Sequence, residues 1–174
     1  MNFFKGIFGR WVLGTGLLIS FLSTGAYSSD VYISEYAEGT PYYNRYLEIY
    51  NGSDSTINII NYALGMCQDG CDTDGNWESV QLFGTTTQFP FANRQIAPGG
   101  TFVIRDGNGD VDPTIKSAAE SGGKTGQLKF SGNDPVALIK KGTGFSAQKV
   151  KDGDTSVYTV LDVIGKPLAE AQTW

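Results

Sequence analysis

An all-β fold of about seven or eight short strands is predicted by three features of the chain. Two runs near its start alternate with a two-residue period, 23 glycines and an aromatic share of 13% suit strands joined by tight turns, and helix signals are nearly absent. Each strand can be justified from its own residues.

Residues 31–36, VYISEY, set Val31 and Ile33 against Tyr32, Ser34 and Tyr36, and residues 45–50, RYLEIY, set Leu47 and Ile49 against Tyr46, Glu48 and Tyr50. Aliphatic positions thus fall on one face of a sheet and aromatic or polar ones on the other. The intervening Gly39, Pro41 and Asn44 break a ladder and suit a turn, so the two runs are predicted to pair antiparallel. Residues 52–64, GSDSTINIINYAL, read as a turn and a strand with Ile57, Ile59, Tyr62 and Leu64 buried. An acidic loop bracketed by Cys67 and Cys71 then gives way to a core strand at Val80, Leu82 and Phe83.

Residues 95–105, QIAPGGTFVIR, are a Pro-Gly-Gly turn delivering Phe102, Val103 and Ile104 to the sheet. The helical candidate, residues 113–120, lasts a turn or two before Ser121, Gly122 and Gly123. Residues 130–142, FSGNDPVALIKKG, supply an Asn-Asp-Pro turn and a strand with Val136 and Leu138 on one face, Ala137 and Ile139 on the other. Residues 142–160 exceed a short hairpin and are expected as an extended, mobile one, before a last strand at residues 161–165, LDVIG.

ISEYAEG (33–39) followed by YLEIYN (46–51), the Pro-Gly-Gly turn, the Asn-Asp-Pro strand and LDVIG together resemble the lamin-tail domains of secreted bacterial proteins. The likeness spans about residue 31 to the C-terminus and implies an immunoglobulin-like β-sandwich. Such domains continue past a tryptophan that Trp174 would match, so the expectation is either a fragment of a longer secreted protein or a sandwich with an open edge. Because these domains accompany secreted nucleases or phosphatases, the resemblance implies an accessory module whose catalytic partner lies on other residues.

The first 28 residues carry Lys5 and Arg10, an apolar run at 11–22 and a small, polar exit, the layout of a secretory signal peptide. The run is short for a membrane anchor and is interrupted by Gly14, Thr15, Gly16 and Ser20. Cleavage after Ser28 leaves 174 − 28 = 146 residues (29–174), one domain's worth, secreted and not membrane-bound. Removing Lys5 and Arg10 takes the bases from 13 to 11 against 18 acids, a net charge of −7. That sign opposes phosphate backbones, so nucleic acid is not an expected partner of this module. Outside the cell Cys67 and Cys71 are expected as a disulfide that pins a loop tip. Two thiolates without any histidine cannot complete a structural zinc site.

The absence of histidine also removes Ser-His-Asp and Cys-His catalysis. Glycoside hydrolysis needs only two carboxylates, and Glu35 and Glu48 on the first strand pair are the candidates; against this, each suits a solvated strand position. Calcium is the one cofactor suggested. Asp106, Asn108, Asp110 and Asp112 alternate in DGNGDVD, a spacing that can converge oxygens on a hard cation, although Val111 and Ser117 stand where a helix-flanked calcium loop wants glycine and glutamate. A weaker string, Asp72, Asp74, Asn76 and Glu78, follows the cysteines; both strings also suit ordinary turns.

Tyr36, Tyr42, Tyr43, Tyr46, Tyr50 and Trp77 offer aromatic surface for a protein, cell-surface or glycan partner, with Tyr42, Tyr43 and Trp77 the expected contacts. The strand tyrosines equally suit cross-strand packing. The reading is therefore a secreted, non-catalytic binding or tethering module, with a calcium-dependent carbohydrate or surface binder, and then a carboxylate-only glycoside hydrolase, as alternatives. Expressed with its own leader, the chain is expected in the medium beginning at Ser29, as read by intact mass. Product that retains residues 1–28 would overturn the leader assignment.

Overall fold

The computed structural model describes residues 30–41, 44–71, 76–84, 94–108, 110–119, 121–122, 128 and 130–165. The expected leader and Trp174 lie outside them. In chain order the strands are β1 (Val31–Glu38), β2 (Arg45–Asn51), β3 (Ile57–Asn58), β4 (Tyr62–Met66), β5 (Ser79–Leu82), β6 (Gln95–Ile96), β7 (Thr101–Arg105), β8 (Ser121–Gly122), β9 (Val136–Lys141) and β10 (Tyr158–Ile164). Helices α1 (Pro113–Ala118) and α2 (Ala147–Lys151) are short. The first sheet runs β1-β2-β7-β8, the second β10-β9-β4-β5, and β3 and β6 form a separate ribbon.

The alternation of β1 and β2 decides the first sheet. Val31, Ile33, Leu47, Ile49, Phe102 and Ile104 point inward and meet Tyr62, Leu64, Met66, Val136 and Leu138 of the second sheet. Two largely antiparallel sheets enclosing one apolar layer make an immunoglobulin-like β-sandwich. Each such side chain, fully buried, contributes roughly 1.5–3 kcal/mol. Phe83, Leu128 and Phe130 close the layer.

The period breaks once in β1. The β1–β2 register slips between Ile33 and Glu35, so Ser34 and Glu35 both stand against Glu48, as a β-bulge requires. Beyond the bulge the faces exchange. Tyr36, expected with the polar set, instead turns toward the core, its ring 4.6 Å from that of Phe130.

The centre of the second sheet, β4 and the first four residues of β9, is buried on both faces. Along β4 and β9, Tyr62, Leu64, Met66, Val136 and Leu138 face the sandwich, while Ala63, Ala137 and Ile139 face a second cluster with Cys67, Cys71, Trp77, Val80, Val150, Val157 and Tyr158. Strands buried twice read as unbroken apolar runs, which is why residues 136–139, VALI, carry no polar residue. The cover comes from the segment expected as a mobile hairpin, and that expectation is corrected. Ser146 accepts from Lys149 N at 3.2 Å and caps α2, Asp154 caps the 3₁₀ turn Thr155–Val157, and Phe145, Ala147, Val150 and Val157 pack down on the sheet.

The Asn-Asp-Pro turn locks this side. Asp134, 5% exposed, accepts from Asp69 N at 2.6 Å, Ser131 N at 2.6 Å and Ser131 Oγ at 2.9 Å. Asn133 donates to the Asp69 carboxylate at 2.9 Å, and Cys67 N donates to Pro135 O at 3.3 Å. The disulfide Cys67–Cys71 is formed, and its loop tip rests on this turn. Asp162 of β10 accepts from Ile33 N of β1 at 2.9 Å, linking an edge of one sheet to an edge of the other.

Gly65 reports how tightly the second cluster is packed. A Cβ there would lie 2.9 Å from the Trp77 ring and from Ile139 Cδ1. Gly65→Ala is expected to lower stability in urea melts by about 1–3 kcal/mol, and a neutral result would show that the indole is not seated on β4.

Candidate binding face on the first sheet

With the second sheet covered, the outer face of the first is the broad strand surface left open among the described residues. The register sets its rows. Tyr32, Tyr50 and Thr101 lie side by side, then Glu35, Glu48 and Val103, then Ala37, Tyr46 and Arg105. The Tyr32 and Tyr50 rings are tilted by 48° with centroids 5.3 Å apart, and Tyr32 is 37% exposed. Such cross-strand aromatic pairs stabilise a hairpin while leaving ring surface for a partner.

The bulge builds the second row. Ser34 Oγ donates to Glu48 Oε1 at 2.7 Å, and Tyr46 OH donates to Glu35 Oε1 at 2.8 Å. Helix α1 starts at Pro113 after Asp112, whose carboxylate accepts from Thr114 N at 2.7 Å, and packs beside β7. Between helix and sheet lies a groove of about 190 Å³ lined by Glu35, Tyr46, Glu48, Val103, Thr114 and Ile115. A wider depression of about 470 Å³, lined by Tyr36, Glu38, Gly132, Asp134, Ile164 and Gly165, opens elsewhere. There the Tyr36 hydroxyl donates to Glu38, and Asp134 is already occupied by the turn.

The candidate residues named from sequence separate. Glu35 and Glu48 stand opposite each other in register, and both accept hydrogen bonds. The acid of a glycosidase pair must instead donate a proton to the leaving group. In the first acidic string, Asp106 is buried and accepts from Asn108 N at 2.8 Å, and Asn108 accepts from Asp110 N at 2.9 Å. Asp112 N donates to Asn44 Oδ1 at 2.8 Å. These are turn-forming bonds, and among the described residues no group of three or more His, Cys, Asp or Glu is placed to hold a metal ion.

In the second string Asp72 and Asp74 lie outside the described residues, Asn76 is set closely against Gly153, and Glu78 is exposed. Tyr42 and Tyr43 also lie outside the described residues. Trp77, expected as a contact residue, is corrected: it is 4% exposed and belongs to the second cluster, because β4 presents Gly65 where the indole lies down.

Sequence reasoning passed over Tyr32, Val103, Thr114 and Ile115 as site residues. The alternation that placed Tyr32 opposite the core was legible. The groove was not, since it depends on where α1 lands.

A model of the family described as Lamin Tail Domain matches residues 24–154. No curated protein gives a significant match. The matched stretch holds β1 through β9 and α2 but ends before β10, so LDVIG, counted in the resemblance, falls beyond it.

The tyrosines dictate a pH dependence. The hydrogen bond to Glu35, then burial and the charges of Glu35 and Glu48, raise Tyr46 above its ordinary 10.0. Burial raises Tyr62, and burial with the Asp154 charge raises Tyr158. Burial, the hydrogen bond to Glu38 and nearby carboxylates raise Tyr36 further still. Above pH 10.0, the ordinary tyrosine value, the unfolded chain loses phenolic protons that the folded chain keeps. Stability from these groups is therefore present below that pH and falls as pH climbs through the folded values. An ultraviolet tyrosinate titration should show delayed ionisation in the folded chain, with Glu35→Gln advancing one tyrosine; unaltered titration of that variant would remove the Tyr46–Glu35 bond.

Proposed function

The chain belongs to the lamin tail domain family, and on that premise we propose that it is a secreted, non-catalytic binding module that contacts a protein, cell-surface or glycan partner through the outer face of the first sheet. One observation carries this: the sandwich covers the outer face of the second sheet with α2, Trp77 and the disulfide, yet leaves tyrosines and carboxylates on the first. Aromatic side chains on an open sheet are the residues recognition surfaces favour. The formed disulfide suits an oxidising, extracellular setting. Among the described residues no helix is long and apolar enough to cross a membrane.

What the module tethers is by family analogy a larger extracellular protein, such as a nuclease, whose catalysis would reside elsewhere. The hydrogen bonds that Glu35 and Glu48 accept favour this reading over hydrolysis. The turn-forming use of Asp106 and Asn108 favours it over calcium-dependent binding.

The test is retention. The full chain, fused to a fluorescent protein and added to the cells that secrete it, should remain on their surface through washing. Tyr32→Ser with Tyr50→Ser should reduce retention at least tenfold while the melting temperature stays within a few degrees. Retention unchanged by that pair would move the interface off this face, and loss of retention in EDTA would favour the calcium reading. Release of sugars from glycans, abolished by Glu48→Gln, would establish the hydrolase instead.

A further inference from the structure

We propose that the groove between α1 and the first sheet receives a single lysine or arginine side chain of a partner protein, an inference that rests on the binding-module reading and specifies its partner.

The groove has apolar walls and an acidic end. Val103 and Ile115, with the Tyr46 ring, offer hydrocarbon surface, and Glu35 and Glu48 place two carboxylates at adjacent positions across β1 and β2. Like charges directly opposite one another destabilise a strand pair unless something answers them. Here the answers are two hydroxyls, Ser34 Oγ and Tyr46 OH, each occupying one carboxylate oxygen. Among the described residues neither glutamate makes an ion pair. Arg105, in the next row, points a guanidinium nitrogen at the carbonyl of Asp106 at 2.7 Å rather than at either glutamate.

Size narrows the occupant. Small-molecule pockets run to roughly 300–1,000 Å³, and this groove, at about 190 Å³, suits one long side chain. Lysine and arginine match it along their length, an aliphatic stem for the walls and a cationic head for the carboxylates. A neutral aliphatic side chain would fill the walls and supply no charge to balance the carboxylates. The net charge of −5 at neutral pH also draws a basic partner toward the chain.

The experiment is an NMR titration of the full chain with capped single amino acids: N-acetyl-lysine methylamide, N-acetyl-arginine methylamide and their uncharged counterpart N-acetyl-norleucine methylamide. The basic compounds should give saturable shifts at the amides of Tyr46, Val103 and Ile115, weakening as salt is added. The norleucine compound should bind at least tenfold more weakly. Glu35→Gln with Glu48→Gln preserves acceptors for both hydroxyls and removes the repulsion, so it should fold with an unchanged or higher melting temperature and lose at least tenfold in affinity for the basic compounds. Ile115→Ser, at the wall, gives an independent check that leaves the strand pair intact.

Absence of saturable shifts, equal binding of norleucine, or full binding by the folded double variant would each overturn the proposal. In the retention assay, wild-type retention matched by the double variant also overturns it while the module reading stands. If the wild-type chain is not retained at all, the module reading falls and the titration alone decides the groove.

Discussion

Two strands with no polar face constrain this molecule. β4 and β9 pair at the centre of the second sheet, and over Tyr62–Met66 and residues 136–139 their side chains are apolar in both directions. A sandwich ordinarily needs one apolar face per sheet, and a second left in water would be an exposed patch of the kind soluble proteins avoid. The chain meets the demand from two sides. The loop after β4 returns Cys67, Cys71 and Trp77 to the sheet, and the stretch before β10 folds as α2 and a 3₁₀ turn instead of a plain hairpin. Gly65 fits the same logic, since any larger residue would meet the indole that the cover brings down.

That cover makes the two outer faces unequal. The first sheet, built from β1, β2, β7 and β8, alternates on either side of the β1 bulge and sends its polar set outward. Its outward residues are held by one another: Tyr32 by Tyr50, Glu48 by Ser34, Glu35 by Tyr46. A face ordered in this way loses little side-chain freedom when something docks on it, so less of the interaction energy goes to ordering. The bulge matters for the same reason. Without the extra residue at Ser34, Glu35 would point inward and Tyr36 outward, and the paired carboxylates would not exist.

Local features were the legible ones. Val31, Ile33, Leu47 and Ile49 could be placed inward from spacing alone, as could Phe102 and Ile104 after the Pro-Gly-Gly turn, because a period of two is written in adjacent residues. The two-faced burial of residues 136–139 was equally visible. What escaped was settled by distant partners. Nothing near Trp77 says that a glycine twelve residues earlier, across a disulfide loop, will make room for its ring. The bulge in β1 is specified by what β2 opposes to it, not by VYISEY. The segment 142–157 held a legible helix start, Ser146 followed by residues of fair helix propensity, but its length drew attention to the connection instead of to the apolar Phe145, Val150 and Val157.

The acidic residues show why a regular spacing of carboxylates is a poor guide to chemistry in a β protein rich in turns. Every irregular segment leaves backbone N–H groups that no ladder satisfies, and these must find acceptors. Asp106, Asp112 and Asp154 accept from amides two residues on, Asp134 accepts from amides in its own turn and in the disulfide loop, and Asp162 accepts from an edge strand of the facing sheet. Turns recur at short intervals, so the aspartates that cap them do too, and the alternation imitates a ligand string. Glu35 and Glu48 differ in kind: they sit on paired strands, at and opposite the β1 bulge, and the groups seen to reach them among the described residues are hydroxyls. Carboxylates that the fold does not consume are the ones free to meet something from outside it.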